Sequence, residues 1–523
     1  MPGGLMTLIS YGSENIFLNG NPSKTFFKTT YKKYTNFGMQ KFRLDYDGLR
    51  NLRLNEEVTF KFKIPRYADL VNDTYVVVNI PNIWSALHID DDGNYIEQGF
   101  KWINDLGTNM IKEVVVMAGS QIITQYTGEY INAIQQRDFS KVKKNLFNEM
   151  IGNVPELNDP ANTNGNVNIY PNAFFQGTSL IEPSIRQKTI YIPLDCWFTQ
   201  TSKMAFPLIS LQYEELHIHV TMRPIRDLYM IRDVQDASNN YPYIAPNINL
   251  DINQLYRYIN PPLDISGTLY ANTNESWNAD VHLLSTYIFL SNEEQMCFAK
   301  EQQQYLVNLP YETDYYNVTG SKVVDLESRD LVSSYMWRFR RSDAFMRNTW
   351  SNYTNWPYNN IPYGVSNIAT LPSDIFITGN LQTANQKAIL LDLGIVIDGK
   401  YRENMMLEGI YNLVEKYIRT TGNAKFGLYC YNFCIDSNAK ELQPSGAMNM
   451  NKYNKITFEF NTFQPPVDPS AIFQTICDTD GTIIGYRKPL WRLNDYNFDL
   501  HVFEERYNLL IFANGMCGLK YAR

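Results

Sequence analysis

Apolar and polar side chains alternate strictly along residues 58–64, whose sequence is VTFKFKI. Such alternation is typical of a half-buried antiparallel strand, because successive side chains of a strand point to opposite faces of the sheet. Residues 75–80 form a second, β-branched strand segment, and residues 112–127 predict a hairpin that turns at Ala118-Gly119-Ser120. The pattern therefore favours a mainly antiparallel β fold.

Long stretches rich in Asn, Pro and Gly separate these strands, above all residues 152–180, 225–280 and 348–386. Short helices are expected after Gly128, through about residue 147, and before Gly422, which is placed to close a helix. Sixteen strands of about six residues would occupy only about 100 positions of the chain. The sequence therefore predicts an all-β protein with minor helices and long loop insertions.

The segment 21–43 differs from the rest in charge, because residues 24–43 carry six Lys or Arg and no Asp or Glu, in a chain of formal net charge −8. Asn21 and Pro22 predict the start of a helix. Along it, aromatic and basic residues recur at helical spacing on two different faces: Phe27, Tyr31 and Tyr34 on one, and Lys24, Lys28 and Lys32 on the other. Either this is an ordinary first helix with solvated lysines, or it is an arm that lies against a partner.

Composition excludes several classes of protein. The six cysteines are scattered, which favours reduced and mostly buried thiols and folding in the cytosol. The first twenty residues lack the basic start of a secretory signal, and the longest apolar runs are too short for a membrane span. A sequence pI of about 5.4 argues against a protein that coats nucleic acid.

Two pairs of residues could suggest a metal site. His217 and His219 alternate on one strand face, but a same-face pair with nothing bound is the favoured interpretation. Cys430 and Cys434, in CYNFC, share a strand face but would lie about 13 Å apart, too far to bind one ion. No metal or cofactor is therefore expected.

Catalytic patterns are also missing from the sequence. Glu56-Glu57 and Glu214-Glu215 are adjacent carboxylates, but neighbours on a strand point to opposite faces and make poor acid–base pairs. The sequence contains no Gly-x-Ser-x-Gly elbow, no phosphate-binding Gly-Lys-Ser/Thr loop and no His-Glu-x-x-His motif. We therefore expect the protein not to be an enzyme.

Several collinear motifs nevertheless resemble one family. Residues 3–37, GGLMTLISYGSENIFLNGNPSKTFFKTTYKKYTNF, are similar to the amino terminus of the major capsid proteins of nucleocytoplasmic large DNA viruses. The stretches AFPLISLQYEE at 205–215, QPSGAMNM at 443–450 and NGMCGLKY at 514–521 resemble later signatures of that family. The resemblance covers nearly the whole chain.

The resemblance implies two tandem jelly rolls, each with eight antiparallel strands. The expected division is an arm at 1–36, a first jelly roll at 37–224, a connector at 225–280 and a second jelly roll at 281–523. The stretch from Ala279 resembles the strand and helix that open the second domain.

The same resemblance implies a structural virion protein whose homotrimers form pseudo-hexagonal capsomers that tile an icosahedral shell, assembled in the host cytoplasm. The arm would face inward, toward minor capsid proteins or an internal membrane, and no sequence-specific nucleic acid contact is expected. Its proposed contact residues are Lys24, Phe27, Lys28, Tyr31, Lys32 and Tyr34.

Two alternatives stay open at this point. One is a paralogue of the same fold that serves as a minor capsomer or an assembly scaffold. The other, from a different class, is a carbohydrate-binding lectin or glycosidase with a jelly-roll fold. In that case Trp350 and Trp356, expected to be exposed in a loop, could stack on a sugar ring.

Overall fold

The computed structural model describes most of the 523 residues of the chain. The described residues are 3–90, 92–173, 182–236, 241–358, 386–438, 443–465, 474–477, 483–487 and 496–521. Parts of the two predicted long loops at 152–180 and 348–386 lie outside these ranges.

The described chain contains 26 strands and ten short α-helices. The strands of its first part are β1 Gly38–Asp45, β2 Val58–Lys63, β3 Leu70–Ile80, β4 Leu87–Ile89, β5 Tyr95–Glu97, β6 Phe100–Trp102, β7 Ile111–Ala118, β8 Gln121–Tyr126, β9 Lys188–Pro193, β10 Phe206–Pro207, β11 Leu216–Met222, β12 Tyr229–Arg232, β13 Tyr243–Ile244 and β14 His282–Phe289. The strands of its second part are β15 Gln303–Tyr315, β16 Ser321–Leu326, β17 Leu331–Arg341, β18 Leu390–Ile397, β19 Lys400–Leu407, β20 Leu428–Asn432, β21 Met448–Asn449, β22 Ile456–Thr462, β23 Gln474–Cys477, β24 Ile483–Arg487, β25 Phe498–Ala513 and β26 Met516–Leu519. The helices are α1 Gly3–Ile9, α2 Ile16–Asn19, α3 Leu106–Met110, α4 Gly128–Asp138, α5 Lys141–Met150, α6 Pro155–Asn158, α7 Trp197–Gln200, α8 Tyr256–Ile259, α9 Asn292–Lys300 and α10 Glu415–Arg419, with a π-helical turn at Ile410–Val414 before α10.

The first sandwich consists of two antiparallel sheets. One has the order β1-β14-β3, with β9 and β10 both pairing with β3, and the other has the order β2-β11-β7-β8. The predicted alternation explains the second sheet, since Phe60 and Phe62 of β2 are buried while Thr59, Lys61 and Lys63 between and beside them are exposed. The predicted hairpin is β7 and β8, and Gly119 at its turn has the positive φ of 57° that such a tight turn requires.

The second sandwich repeats this plan. Its sheets have the orders β15-β25-β17-β20 and β16-β22-β18-β19. In both sandwiches the first, third, sixth and eighth main strands form one sheet, and the second, fourth, fifth and seventh form the other. Each sandwich is therefore an eight-stranded jelly roll, and the predicted fold class is confirmed.

One element differs from the predicted division of the chain. The strand β14, expected to open the second jelly roll at 281–523, lies between β1 and β3 in the first. Its side chains Leu283 and Tyr287 are fully buried in the first core. The small strands β12 and β13 lie within the predicted connector 225–280, where β12 pairs with β13 on one side and with β6 of the first part on the other. The connector is thus a decorated insertion before the last strand of the first jelly roll.

The predicted helix between residues 128 and 147 is split in two. Thr127 caps α4 by accepting the N–H of Tyr130 on its side chain, and Ser140 caps α5 in the same way through Lys143. Gly422 does not close a helix, because α10 already ends at Arg419. Its N–H instead donates to the carbonyl oxygen of Arg137 at 2.8 Å, and a Cβ at Gly422 would lie 2.3 Å from that oxygen.

One hydrophobic cluster joins the first jelly roll to the outward sheet face of the second. The larger hydrophobic cluster contains the first core and also side chains of the second jelly roll, including Val307, Leu309, Met336 and Phe503. These residues belong to the outward face of the sheet β15-β25-β17-β20. The inner face of the same sheet, with Trp337 and Phe339, forms the separate second core. The first jelly roll therefore covers one whole sheet of the second.

Candidate functional site

The arm predicted at 1–36 has no helix where one was expected. The described helices are α1 and α2, both before Asn21, and residues 20–37 follow an irregular path. Asn21 itself adopts a positive φ of 47°, which is incompatible with the predicted cap. The aromatic residues at helical spacing have no apolar surface to pack on, and spacing alone cannot hold a helix together in water.

All six proposed contact residues of the arm are exposed: Lys24, Phe27, Lys28, Tyr31, Lys32 and Tyr34. Phe27 is 98% exposed and Tyr31 81% exposed. The rest of the arm also exposes many large apolar side chains: Leu5, Met6, Leu8, Ile9, Ile16, Phe17, Leu18 and Phe26. Thr35 anchors the end of the arm by a hydrogen bond from its hydroxyl to Glu294 of α9. Exposed apolar surface of this extent is typical of a segment that binds a partner.

A second candidate region is the buried polar interface between the two jelly rolls. It is built by α4 of the first jelly roll, which lies against β15, β17 and β25 of the second. Thr127, at the start of α4, donates its N–H and its hydroxyl to the two oxygens of Glu312 on β15, at 2.6 and 2.8 Å. The cap of a first-domain helix is thereby tied to a second-domain strand.

Glu129 is the acceptor at the centre of this interface. Its carboxylate binds Arg338 and Arg340 of β17, with Arg340 at 2.9 Å, and lies 3.4 Å from Arg223. Burial opposes ionisation of Glu129, but the three guanidinium groups outweigh it and hold the pKa of this carboxyl well below its ordinary value. The side chain therefore stays charged in the interior.

Arg137, at the other end of α4, makes the reverse pairing. Its guanidinium is fully buried and donates to both oxygens of Glu505 on β25, at 2.6 and 3.1 Å. Burial alone would lower the pKa of Arg137, whereas Asp138 and Glu505 raise it well above its ordinary value. Such bidentate ion pairs fix the relative orientation of the two side chains as well as neutralising their charges.

His501 and Lys425 extend the network. The ring of His501 lies between Glu312, at 2.9 Å from Nε2, and Asp314, which contacts Nδ1. Burial lowers the pKa of His501, but the hydrogen bonds to these two carboxylates raise it above its ordinary value. Lys425 of the second jelly roll pairs with the fully buried Asp105 of the first, and the ammonium holds the pKa of Asp105 below its ordinary value despite burial.

Sequence reasoning missed this network entirely. Charged residues inside short helices and strands normally lie on solvated faces, and their partners here are about 200 to 370 positions away along the chain. The one available signal was the stretch YMWRFRR at 335–341, in which arginine alternates with aromatic residues on a strand. That pattern places Arg338 and Arg340 on one face of β17, where both bind Glu129 of α4.

The surroundings of the two residue pairs considered for metal binding disfavour a bound metal ion. His217 and His219 lie on β11 opposite Lys63 and Lys61 of β2, whose positive charges disfavour a cation there. Cys430 is buried in the larger hydrophobic cluster, between the two jelly rolls. Burial raises the pKa of its thiol and that of Cys434 to about 11. Within the described ranges, no three His, Cys, Asp or Glu side chains group as metal ligands would.

The adjacent carboxylates are occupied by structural contacts. Glu57 pairs with Lys112 at 2.6 Å, and Glu56 with Arg53 at 2.5 Å. Glu215 pairs with Lys63 at 2.7 Å, whereas Glu214 accepts the backbone N–H of Cys517. Neither pair shares a proton or faces a common cleft.

The expected sugar-stacking tryptophans are not exposed. Trp356 is buried at 8% exposure, with the Lys387 ammonium 4.8 Å from its ring centre. Trp350 is half-buried between the guanidinium groups of Arg223 and Arg340, and its indole N–H donates to Asp227. The prediction of exposed aromatic platforms was wrong, because Trp350 packs against the cluster that joins the jelly rolls and Trp356 is buried under Lys387.

Among the helices in the described part of the chain, none has both the length and the apolar character needed to cross a bilayer. The described thiols are free, and all except that of Cys297 are buried.

Comparison with known proteins defines the family. The profile described as "Major capsid protein N-terminus" matches residues 25–291, about half of the chain. The chain belongs to the major capsid protein family. The matched range ends just after β14, as the first jelly roll does in this structure.

Relatives within this family come from several large DNA viruses. The chain is 27% identical to capsid protein 1 of Acanthamoeba polyphaga mimivirus over 59% of its own length and 43% of that protein's length. It is 26% identical to the major capsid protein of Phaeocystis pouchetii virus, over 64% of this chain and 58% of the relative. The alignments thus span less than two thirds of these relatives. The major capsid protein of Paramecium bursaria Chlorella virus 1 is 24% identical over the full length of both chains.

Solved structures confirm the double jelly-roll fold. The crystal structure of PBCV-1 VP54, fitted into a reconstruction of the virophage Sputnik, superposes with a TM-score of 0.63 at 19% identity, covering 95% of this chain and all of that one. The Faustovirus major capsid protein superposes with a TM-score of 0.60 at 12% identity, covering 94% and 93%.

Proposed function

We propose that this major capsid family member is a structural subunit of a virion, three copies of which form a pseudo-hexagonal capsomer of an icosahedral shell. The observation that carries the proposal is the pair of like jelly rolls locked side by side by buried ion pairs. Two similar blocks per chain supply six similar blocks around a threefold axis, so a trimer presents the outline of a hexagon.

The locked interface supports this role physically. Breaking a buried ion pair by moving one partner away leaves an uncompensated charge, which costs several kcal/mol. Glu129, Arg137 and Glu505 therefore oppose any hinge motion between the two jelly rolls. A block that tiles a shell needs such rigidity, because small angular errors accumulate across many copies.

The mass of the purified protein in solution tests the proposal. Light scattering after gel filtration should give a stable particle of about three times 60.7 kDa. Electron microscopy of the same sample should show particles with a hexagonal outline. A monomer at all accessible concentrations would contradict the proposed function.

We further propose that the exposed arm faces the inside of the shell and binds minor capsid proteins or the surface of an internal membrane. Its support is the combination of bare aromatic residues, such as Phe27 and Tyr31, with the lysines Lys24, Lys28 and Lys32. Aromatic side chains supply buried contact area to a partner, and lysines suit an acidic surface. Assembly in the host cytoplasm is part of the same proposal, and the free thiols of the described cysteines fit a reducing compartment.

Deletion of residues 1–36 tests the arm. Because the arm contributes no described core residue, the shortened chain should still form trimers but should not assemble into shells in infected cells. The matched control replaces Lys24, Lys28 and Lys32 by Gln and keeps the aromatic residues, which separates charge from apolar contact. Normal particles built from the deleted chain would refute the role of the arm.

A further inference from the structure

Each jelly roll has one sheet whose outward side chains take no part in the hydrophobic cluster that joins the two halves of the chain. These are the sheet β2-β11-β7-β8 in the first jelly roll and the sheet β16-β22-β18-β19 in the second. Outward apolar side chains of both sheets, such as Val115 and Met117 in the first and Val323 in the second, belong to no described hydrophobic core. Both surfaces therefore face outward from the folded chain.

The outward face of the first of these sheets, here called the basic face, carries cationic side chains on two neighbouring strands. Lys61 of β2 lies directly opposite His219 of β11, and Lys63 lies opposite His217. Lys63 pairs with Glu215 at 2.7 Å, whereas Lys61 has no carboxylate partner among the described residues. The four strands of this sheet carry three lysines and one glutamate in all.

The outward face of the second sheet, here called the acidic face, has the opposite charge at its centre. Glu459 of β22 accepts a hydrogen bond from the hydroxyl of Tyr401 at 2.7 Å. Asp392 of β18 accepts one from the side-chain amide of Asn461, also at 2.7 Å. Both donors are neutral, and neither carboxylate has a cationic partner among the described residues. The centre of this face is therefore negative.

The cationic groups near the second sheet leave this centre uncompensated. Lys322 lies opposite the buried Phe460 in the strand register, so it points toward the inner side of the sheet. The same holds for Lys400, which lies opposite the buried Ile397. The other two cationic groups already have carboxylate partners: Arg402 pairs with Glu403 at 3.3 Å, and Lys455 with Asp325 at 3.1 Å.

The geometry of the proposed trimer brings first and second jelly rolls together between trimers. The two kinds of jelly roll alternate around the threefold axis, so the block diametrically opposite a first jelly roll is a second one. Two trimers of the same orientation, placed side by side, therefore meet with a first jelly roll against a second. Surfaces of opposite charge on the two jelly rolls suit such a contact.

We propose that the basic face of one copy docks on the acidic face of a copy in the neighbouring trimer. The inference rests on the proposed trimer and assigns a contact between trimers. It gives Lys61 the carboxylates of Glu459 and Asp392 as partners. The contact is heterologous and repeats from trimer to trimer, so it extends into an array instead of closing on itself.

Charge and apolar burial have separate tasks in this contact. A basic face against an acidic face selects the correct pairing, because two faces of like charge repel. Apolar side chains beside the charges supply area that the contact buries: Met117 lies opposite His217, and Val323, which is 63% exposed, lies opposite Glu459. Because exposed charges are screened by salt, the association should weaken as ionic strength rises.

Zero-length cross-linking of full-length trimers tests the docking directly. A carbodiimide joins a lysine amine to a carboxylate when the two groups are in contact. Trimers are prepared separately from isotopically light and heavy protein and are then mixed at low salt. The expected product is a mixed-isotope peptide pair that joins Lys61 to Glu459 or Asp392.

A charge swap measures the contribution of the same residues. Lys61→Glu and Glu459→Lys each bring like charges together, so each should lower the association constant between trimers about threefold to tenfold in sedimentation velocity. The chain that carries both substitutions restores opposite charges and should return to within about twofold of the parent. Lys203→Glu is the matched control, because Lys203 is exposed but lies outside both faces, and this variant should associate like the parent.

The outcomes separate this inference from the proposed function. Trimers that associate but cross-link elsewhere, or a double variant as weak as the single ones, overturn the docking and leave the trimer standing. Trimers that stay apart at every salt concentration also overturn the docking and would mean that another protein covers these faces. A protein that never trimerises contradicts the proposed function itself, and its mass shows this before any cross-linking.

Discussion

At the scale of single residues, the decisive feature is that α4 delivers charged side chains into the interior. Glu129 faces three guanidinium groups, and Arg137 faces Glu505 and Asp138. Each group alone would be costly to bury. Together they make the relative position of the jelly rolls specific, because a shift would leave ions unpaired in a low-dielectric environment.

Replacing Glu129 by Gln should strongly destabilise the protein. The change removes the buried carboxylate that Arg338, Arg340 and Arg223 share, and the expected loss is about 3–5 kcal/mol in the free energy of unfolding. Urea unfolding followed by tryptophan fluorescence measures it. Glu56→Gln is the control, since the Arg53–Glu56 pair is solvent-exposed and its loss should barely move the midpoint. Equal effects of the two variants would contradict the importance of the buried network.

His501 should make stability depend on pH. Its pKa is raised in the folded protein by Asp314 and Glu312, so the charged ring is favoured in the folded state. The stabilisation is therefore complete below the ordinary histidine pKa of about 6.5 and is lost as pH rises through the higher folded value. The difference in melting temperature between the parent and His501→Gln should shrink over this range. The same scan with His88→Gln serves as a control, and a difference that grows with pH would refute the assignment.

At the scale of secondary structure elements, most strands could be predicted from local sequence. Alternation in β2 and the hairpin of β7 and β8 depend on contacts close in the chain, and both are found where expected. The partner strands of β14 could not be predicted in this way, because the local sequence of a strand does not specify which sheet the strand joins. The helix expected after Asn21 failed for the opposite reason: its periodicity was real but had no surface to pack on.

At Gly422, the backbone of the loop after α10 lies directly against the backbone at the end of α4. Gly422→Ala would place a methyl group 2.3 Å from the carbonyl oxygen of Arg137, so the loop after α10 must move away from the first jelly roll. We expect a loss of at least about 1–3 kcal/mol, measured by chemical unfolding. Gly38→Ala is the matched control, since a Cβ there meets only the Cβ of Phe289 at 3.9 Å. Indistinguishable variants would show that the loop yields without cost.

At the scale of the whole molecule, the hydrophobic cluster that joins the two jelly rolls predicts cooperative unfolding. Met336 and Phe503 of the second jelly roll lie in the same hydrophobic cluster as the first core. Amide hydrogen exchange at rising denaturant should therefore expose β7 of the first jelly roll and β22 of the second over the same concentration range. Glu129→Gln supplies the comparison, because weakening the interface should separate the two transitions. Well-separated transitions in the parent protein would contradict a common unit.

The sequence patterns and the family resemblance supported the fold class and the family, but not the network that joins the two halves. Arg338 and Glu129 are 209 positions apart, and nothing local marks either as buried. The prediction of exposed tryptophans failed similarly, since Trp350 lies in a loop by sequence but packs against Arg223 and Asp227 of the first part of the chain, and Trp356 is buried. Long-range pairing is set by the packing of whole sheets, which single-sequence patterns do not encode.

The placement of β14 has a consequence for biosynthesis. Among the described strands, the edge strand β1 pairs only with β14, and roughly 240 residues separate the two along the chain. At a translation rate of about 5–20 residues per second, the ribosome needs roughly 10–50 seconds to make that interval. Throughout this time the nascent chain exposes the unpaired amide and carbonyl groups of β1 beside the apolar side chains of the arm. We therefore expect chaperones to bind this region until β14 has been synthesised.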